Sequence, residues 1–187
     1  FILPFGFLLS GFALLVSYLG QMNPQITPLM PVLVSPWLSI HVSLIMMSYA
    51  LLAFIMLNGI LALCLRKKES ENNVSGNDAV QDNRIEQLTL VSRLLLYPAT
   101  FFLGAGIFLG AVWANVSWGR YWAWDPKEVW ALITFLVYGV AFHSQSLRIF
   151  RKPLFFHIYM ILAFLTVLMT YFGVNYVLGG MHSYANA

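Results

Sequence analysis

Long apolar runs alternate with short polar or proline-bearing connections along this chain. Five runs, roughly 1–20, 38–65, 94–115, 127–147 and 155–178, each supply about the 20 residues that a helix needs to cross ~30 Å of hydrocarbon. None of them alternates with a period of two, as the strands of a membrane β-barrel do. Helices satisfy all their backbone hydrogen bonds within one segment, so they are the elements that the pattern predicts. The expected fold is an all-α, polytopic membrane helix bundle with about five transmembrane helices, forming one membrane domain over residues 1–187.

The connections differ from one another. Residues 21–37 carry Pro24, Pro28, Pro31 and Pro36 and read as an ordered, non-helical excursion. Residues 66–93 begin Arg66-Lys67-Lys68 and continue through Asn, Asp, Ser and Gly, a composition that predicts a mobile loop with no core of its own. Residues 148–153 are short and basic. These last two connections hold Arg66, Lys67, Lys68, Arg84, Arg93, Arg148, Arg151 and Lys152, whereas the opposite side has only Arg120 and Lys127. Positive residues concentrate on the cytoplasmic side. The asymmetry therefore makes 66–93 a cytoplasmic loop and places 21–37, 116–126 and 179–187 outside.

Composition agrees with that picture. Hydrophobic residues make up 60% of the chain and charged residues 9%, against about 25% charged in a soluble domain. A water-soluble globule is excluded, and the formal charge of +3 gives no reason to expect nucleic acid as a partner. Cys64 is the single cysteine, so the chain has no intrachain disulfide and no Cys-based zinc spacing. The first residue is Phe1, which suggests a stretch of a longer protein. No basic residues precede the first apolar run, so that run lacks the pattern of a cleaved leader.

The candidate chemistry lies in two places. Residues 113–130, Trp113-Ala-Asn-Val-Ser-Trp118-Gly119-Arg120-Tyr121-Trp122-Ala123-Trp124-Asp125-Pro126-Lys127-Glu128-Val129-Trp130, contain five of the six tryptophans. An interfacial aromatic belt with local packing accounts for some of these. A flat apolar platform for a large planar ligand such as a porphyrin is the other reading. Within this outer tryptophan-rich segment, Asp125-Pro126-Lys127-Glu128 reads as an N-cap, a proline at the first helical position and a capping box, so a helix is expected to start at Pro126.

Histidine in or beside a membrane span is the second feature. His41 falls near the outer end of the second run, and His182 lies just beyond the outer end of the fifth, after Gly179-Gly180. Both share the side of the tryptophan segment and together form a candidate bis-imidazole pair for haem iron. Two independent interfacial histidines are the competing reading. His143 lies 17 residues after Pro126, ~26 Å along a helix, which puts it in the inner third of the bilayer. His157 follows the short basic turn and reads first as an ordinary interfacial residue, though it and His143 have similar depths and could share a second haem.

Trp118-Gly119-x-x-Trp122-x-Trp124-Asp125-Pro126-Lys127-Glu128 resembles the tryptophan-rich signature of the haem-handling protein superfamily, which includes the cytochrome c assembly proteins. Tyr121 and the Pro-Lys-Glu continuation resemble its System II branch, the CcsA (ResC) family. His41-Val42-Ser43 with Ser48-Tyr49-Ala50, and Tyr171-Phe172-Gly173-Val174-Asn175 followed by His182-Ser183-Tyr184, resemble two further blocks of that family.

The resemblance implies a component of a cytochrome c maturation complex. It would carry haem b to the outer face of the bacterial inner membrane and join it to the CxxCH thiols of apocytochrome c. Holocytochrome c synthase (haem lyase) activity would be shared with a CcsB-type membrane partner, separate or fused, and thioredoxin-like reductants would serve the pathway. It further implies that His41 and His182 are the outer axial ligands and His143 a transmembrane haem ligand, the only metal being iron held in haem. Trp113, Trp118, Gly119, Trp122, Trp124 and Asp125 would form the haem platform. The alternatives are a System I type haem exporter that forms no bond, and a b-type cytochrome subunit of a quinone oxidoreductase. An ordinary transporter gives no account of the tryptophans or outer histidines.

Overall fold

A computed structural model describes residues 6, 10, 11, 35–71, 78–143 and 146–178. The first apolar run, nearly all of the proline-bearing segment 21–37, and His182 lie outside the described residues, apart from isolated positions. The chain divides into two compact units, Phe1–Pro36 and Trp37–Ala187, and the second is the one described below.

Four α-helices make up the described fold: α1 (Pro36–Glu71), α2 (Asp78–Trp118), α3 (Pro126–Val140) and α4 (Pro153–Leu168). Short 3-10 turns, Ala141–His143 and Arg148–Arg151, follow α3 and precede α4. Beyond α4 the chain winds on as a π-helical stretch, Met169–Leu178. No strand occurs among the described residues. The all-α bundle expected from the apolar runs is what forms.

Among the described residues, three helical stretches are long and apolar enough to cross a membrane: Pro36–Arg66, Asp82–Trp118 and Pro153–Leu178. The fourth run is shorter than its sequence suggested. Its α-helix ends at Val140 after 15 residues, about 22 Å at 1.5 Å per residue, and a 3-10 turn carries it to His143. Large apolar side chains, among them Phe101, Phe108, Leu162 and Leu165, remain exposed on the outside of the bundle, as lipid-facing helices require.

The segment expected to be a loop over 66–93 is corrected by the structure. Helix α1 runs on to Glu71 and α2 begins at Asp78, so most of the segment is helical. Its Glu, Gln, Lys and Arg residues are good helix formers. Helices can project beyond the hydrocarbon wherever water can solvate their polar side chains. Arg93 is also more than a loop charge. Its guanidinium lies 4.8 Å from the Phe156 ring centroid and donates a hydrogen bond to the Phe150 carbonyl, fastening α2 to the start of α4.

The core lies between the four helices and includes Leu52, Ile55, Leu96, Ala99, Tyr138, Phe156 and Met160. Polar groups buried in this core or at its edge bond across helices. Ser48 Oγ donates to the Ala99 carbonyl at 2.8 Å, Asn58 Nδ2 to Ser92 Oγ at 3.3 Å, and Tyr159 O–H to the Val137 carbonyl at 2.7 Å. Such bonds hold membrane helices together where water-driven association is absent.

Candidate functional site

The local chemistry of the tryptophan segment fixes its shape. Helix α2 stops where Gly119 turns to φ +73° and its N–H bonds the Asn115 carbonyl at 2.9 Å, the left-handed stop that glycine makes without strain. Six residues later Asp125 caps α3 as the sequence predicts. Its carboxylate accepts from the Lys127 N–H at 3.1 Å, and Glu128 Oε2 accepts from the Asp125 and Ala123 N–H groups at 3.2 and 2.8 Å. Pro126 opens the helix. Trp124, just before the cap, is held at φ +56°, a conformation that a bulky residue adopts only under local constraint.

The turn opens onto a cavity between α1, the last turns of α2, the start of α3 and the π-helical stretch. It gives about 190 Å³ in which the centre of a water molecule can move, and is mostly apolar. Its walls include Ile45, Tyr49, Trp113, Tyr121, Trp122 and Tyr171, and its polar lining includes His41, Lys127, Glu128 and Thr170. Trp113 is buried and Trp118 packs against it edge-on, with centroids 4.8 Å apart. Trp122 and Trp124 form a second edge-on pair at 6.0 Å.

His41 is the site's best-defined donor. Its Nδ1 lies 2.7 Å from the Gly106 carbonyl oxygen. A carbonyl only accepts, so Nδ1 carries the hydrogen and Nε2 is the basic nitrogen of the neutral ring. Metal-binding imidazoles are oriented by the same contact. The approach depends on glycine. A Cβ at Gly110 would sit 2.7 Å from His41 Cε1, and one at Gly106 would sit 2.6 Å from Ile45 Cδ1. Gly106-x-x-x-Gly110 thus lets α1 lie close against α2, as small residues four apart do in membrane helices.

Of the residues expected to form a haem platform, Trp113 and Trp122 line the cavity with His41. Trp118 supports Trp113 from behind, Gly119 makes the turn, and Asp125 is a buried cap. Trp124 is 73% exposed. His143 lies in the 3-10 turn at the far end of α3, with its side chain exposed and its Nδ1 3.2 Å from the Gly139 carbonyl. His182 falls outside the described residues. Sequence reasoning passed over Tyr121 and Lys127 as lining residues, although both stand inside the motif, and it gave Gly106 and Gly110 no role.

His157 departs from the interfacial reading. It is 1% exposed, and its Nε2 lies 2.9 Å from Thr89 Oγ1, which also bonds the Ile85 carbonyl at 2.7 Å. Its ring ties α4 to α2 at the end of the bundle opposite the tryptophans. The nearby cavity is lined by Arg66, Asp82, Glu86 and the histidine.

The whole site sits within a chain that closely matches known proteins. A family model described as cytochrome c assembly protein matches residues 1–182. The chain is 40% identical over 185 residues to protein NrfI of Wolinella succinogenes, covering 99% of this chain and 20% of that protein. It is 39% identical to the cytochrome c biogenesis protein CcsA of Chlamydomonas reinhardtii, covering 98% of this chain and 50% of that one. With CcsA of Pyropia yezoensis the identity is 34%, over 97% and 67%. The chain therefore spans from one fifth to two thirds of the length of these relatives.

Proposed function

The chain belongs to the cytochrome c assembly protein family, and from that premise we propose that it is the haem-holding part of a cytochrome c maturation complex. The family assigns it a part in cytochrome c biogenesis, and its apolar helices make it a membrane protein. The proposal adds that the cavity beneath the tryptophan segment seats haem b on the outer face of the bacterial inner membrane. There the haem would be presented to the CxxCH thiols of apocytochrome c. The observation that carries it is the His41 imidazole, oriented by Gly106 at the wall of an aromatic, largely apolar cavity.

The residues present suit this cargo. Nε2 of His41 is the nitrogen that a haem iron takes. Trp113, Tyr121 and Trp122 offer aromatic faces and edges to a macrocycle, and Lys127 offers a cation to its carboxylates. The resemblance adds His182 as the second axial ligand. It adds His143 as a transmembrane ligand shared with a CcsB-type partner, and the exposed position of the His143 ring leaves it open to another chain.

The chemistry asked of the protein is positioning. A cysteine S–H of apocytochrome c adds across a haem vinyl group. The sulfur bonds one vinyl carbon and the hydrogen ends on the other, with no net change in oxidation state. The thiols must come from the peptide, kept reduced by thioredoxin-like proteins of the pathway. The chain's own Cys64 lies 23 residues past His41 on the same helix, roughly 35 Å along it. Holding the two reactants in register converts a bimolecular encounter into an oriented one. The CxxCH histidine can then take over one axial position as the product leaves.

The test is an absorption spectrum of the full-length protein purified with its partner, compared with His41→Ala and His182→Ala. Haem that co-purifies with a low-spin spectrum, weakened in each variant together with cytochrome c maturation, supports the reading. Normal haem content and normal maturation in both variants would overturn it.

A further inference from the structure

The cavity at the end of the bundle opposite the tryptophans has no part in the haem reading. It lies between the end of α1, the first turns of α2 and the start of α4, with about 450 Å³ in which the centre of a water molecule can move. Arg66, Asp82 and Glu86 line it together with the buried His157. Thr89 Oγ1 donates its one hydrogen to the Ile85 carbonyl at 2.7 Å, so His157 Nε2 is the donor in its 2.9 Å contact with Thr89 Oγ1. Nδ1 then carries a lone pair, and among the described residues nothing bonds it, although the ring is 1% exposed. Buried polar nitrogens nearly always have a partner. Thr89 is not part of the lining, so the side of the histidine away from Nε2 is the one that meets the cavity.

The lining thus offers three acceptors and one cation. Asp82 and Glu86 stand four apart on one face of α2, where like charges repel until a cation joins them. The cavity also lies where helices leave hydrocarbon. Arg66 is the first charged residue after the apolar run of α1, and Pro153, which lines the cavity, follows Lys152, the last charged residue before that of α4. Leu154 of the lining begins a stripe with Ile158 and Leu162, each four residues on and exposed, which suits acyl chains. We propose that this cavity binds the headgroup of a zwitterionic aminophospholipid. Arg66 takes the phosphate. Asp82, Glu86 and His157 Nδ1 accept from the primary ammonium, whose three N–H donors match three acceptors. A quaternary ammonium has no N–H to give and is the poorer ligand.

The probes are dioleoyl phosphatidylethanolamine, phosphatidylcholine and phosphatidylglycerol, titrated into the delipidated full-length protein in detergent and counted by native mass spectrometry. Charge-assisted hydrogen bonds give the wild type a preference of about tenfold or more for the ethanolamine lipid over the choline lipid. Asp82→Asn combined with Glu86→Gln, at two exposed positions that leave the core untouched, is expected to bring that ratio near one. Arg66→Met should weaken both lipids in parallel, whereas Arg84→Met, which removes an exposed charge outside the lining, should change neither. Equal binding of the two lipids by wild type, or a ratio that survives the double substitution, overturns the proposal. Tightest binding of phosphatidylglycerol overturns it too, since that is plain attraction of basic residues for an anionic surface. Free phosphoethanolamine that displaces the lipid at equal concentration overturns the membrane source of the headgroup.

Discussion

Substituting Gly110 by alanine adds one methyl group to the protein and tests the geometry on which the site depends. The new Cβ would lie 2.7 Å from His41 Cε1 and 2.8 Å from Nδ1, whereas carbon atoms in contact rest at about 3.5–4.0 Å. The imidazole, or α1 with it, has to retreat by about 1 Å. Since Nδ1 is only 2.7 Å from the Gly106 carbonyl, a retreat of that size stretches or misaligns the hydrogen bond beyond useful geometry. Overpacking of this kind costs about 1–3 kcal/mol of stability. The loss of an orienting contact to a metal-binding imidazole costs about 10–100-fold in affinity. Gly110→Ala should therefore bind haemin 10–100-fold more weakly in a Soret titration, with the low-spin signature reduced. Gly139→Ala is the matched control, because nothing lies within 4 Å of a Cβ there, and it should bind as wild type does. If Gly110→Ala binds within about twofold of wild type and keeps its low-spin spectrum, His41 is not held as described and the reasoning fails.

Two other substitutions probe the frame around the site. Asp125→Ala removes the cap of α3 and a buried carboxylate, so thermal unfolding should show a loss of about 1 kcal/mol or more. Tryptophan fluorescence should shift as the turn over Gly119–Trp124 loosens, and an unchanged melt would mean that the capping box contributes nothing. Thr89→Val keeps the shape of the side chain but takes away the hydroxyl beside His157 Nε2. Leaving that buried ring without its partner should cost about 1–3 kcal/mol in reversible unfolding. Haemin affinity at the His41 cavity should stay as in wild type; a fall in affinity with stability intact would place His157 in the ligand's path instead.

What could be read from the sequence divides by the distance over which it is determined. Four of the five apolar runs gave the described helices, and Asp125-Pro126-Lys127-Glu128 gave the start of α3 to the residue, because a capping box is complete within four positions. The segment 66–93 was misjudged because polarity marks where a helix leaves hydrocarbon, not where it stops. His157 was misjudged for a related reason. Arg151 and Lys152 precede it in sequence, but α4 turns its ring inward to Thr89, 68 residues away. No local pattern records that pairing.

The same limit explains the site. That His41 belongs with the tryptophans followed from the expectation that they share one side of the bilayer, but its tautomer did not. The tautomer depends on a carbonyl 65 residues away, brought within reach only because Gly106 and Gly110 carry no side chains. The seam that packs α1 on α2 also orients the imidazole, so helix packing and ligand geometry cannot vary independently here. A substitution that widens the seam alters the nitrogen offered to the cavity before it unfolds the bundle. For this reason, porphyrin affinity should report on α1–α2 packing more sensitively than thermal stability does. A series of substitutions along the seam would separate the two readouts. Affinity should fall with the distance that the imidazole is displaced, while the melting temperature should follow the volume that is added.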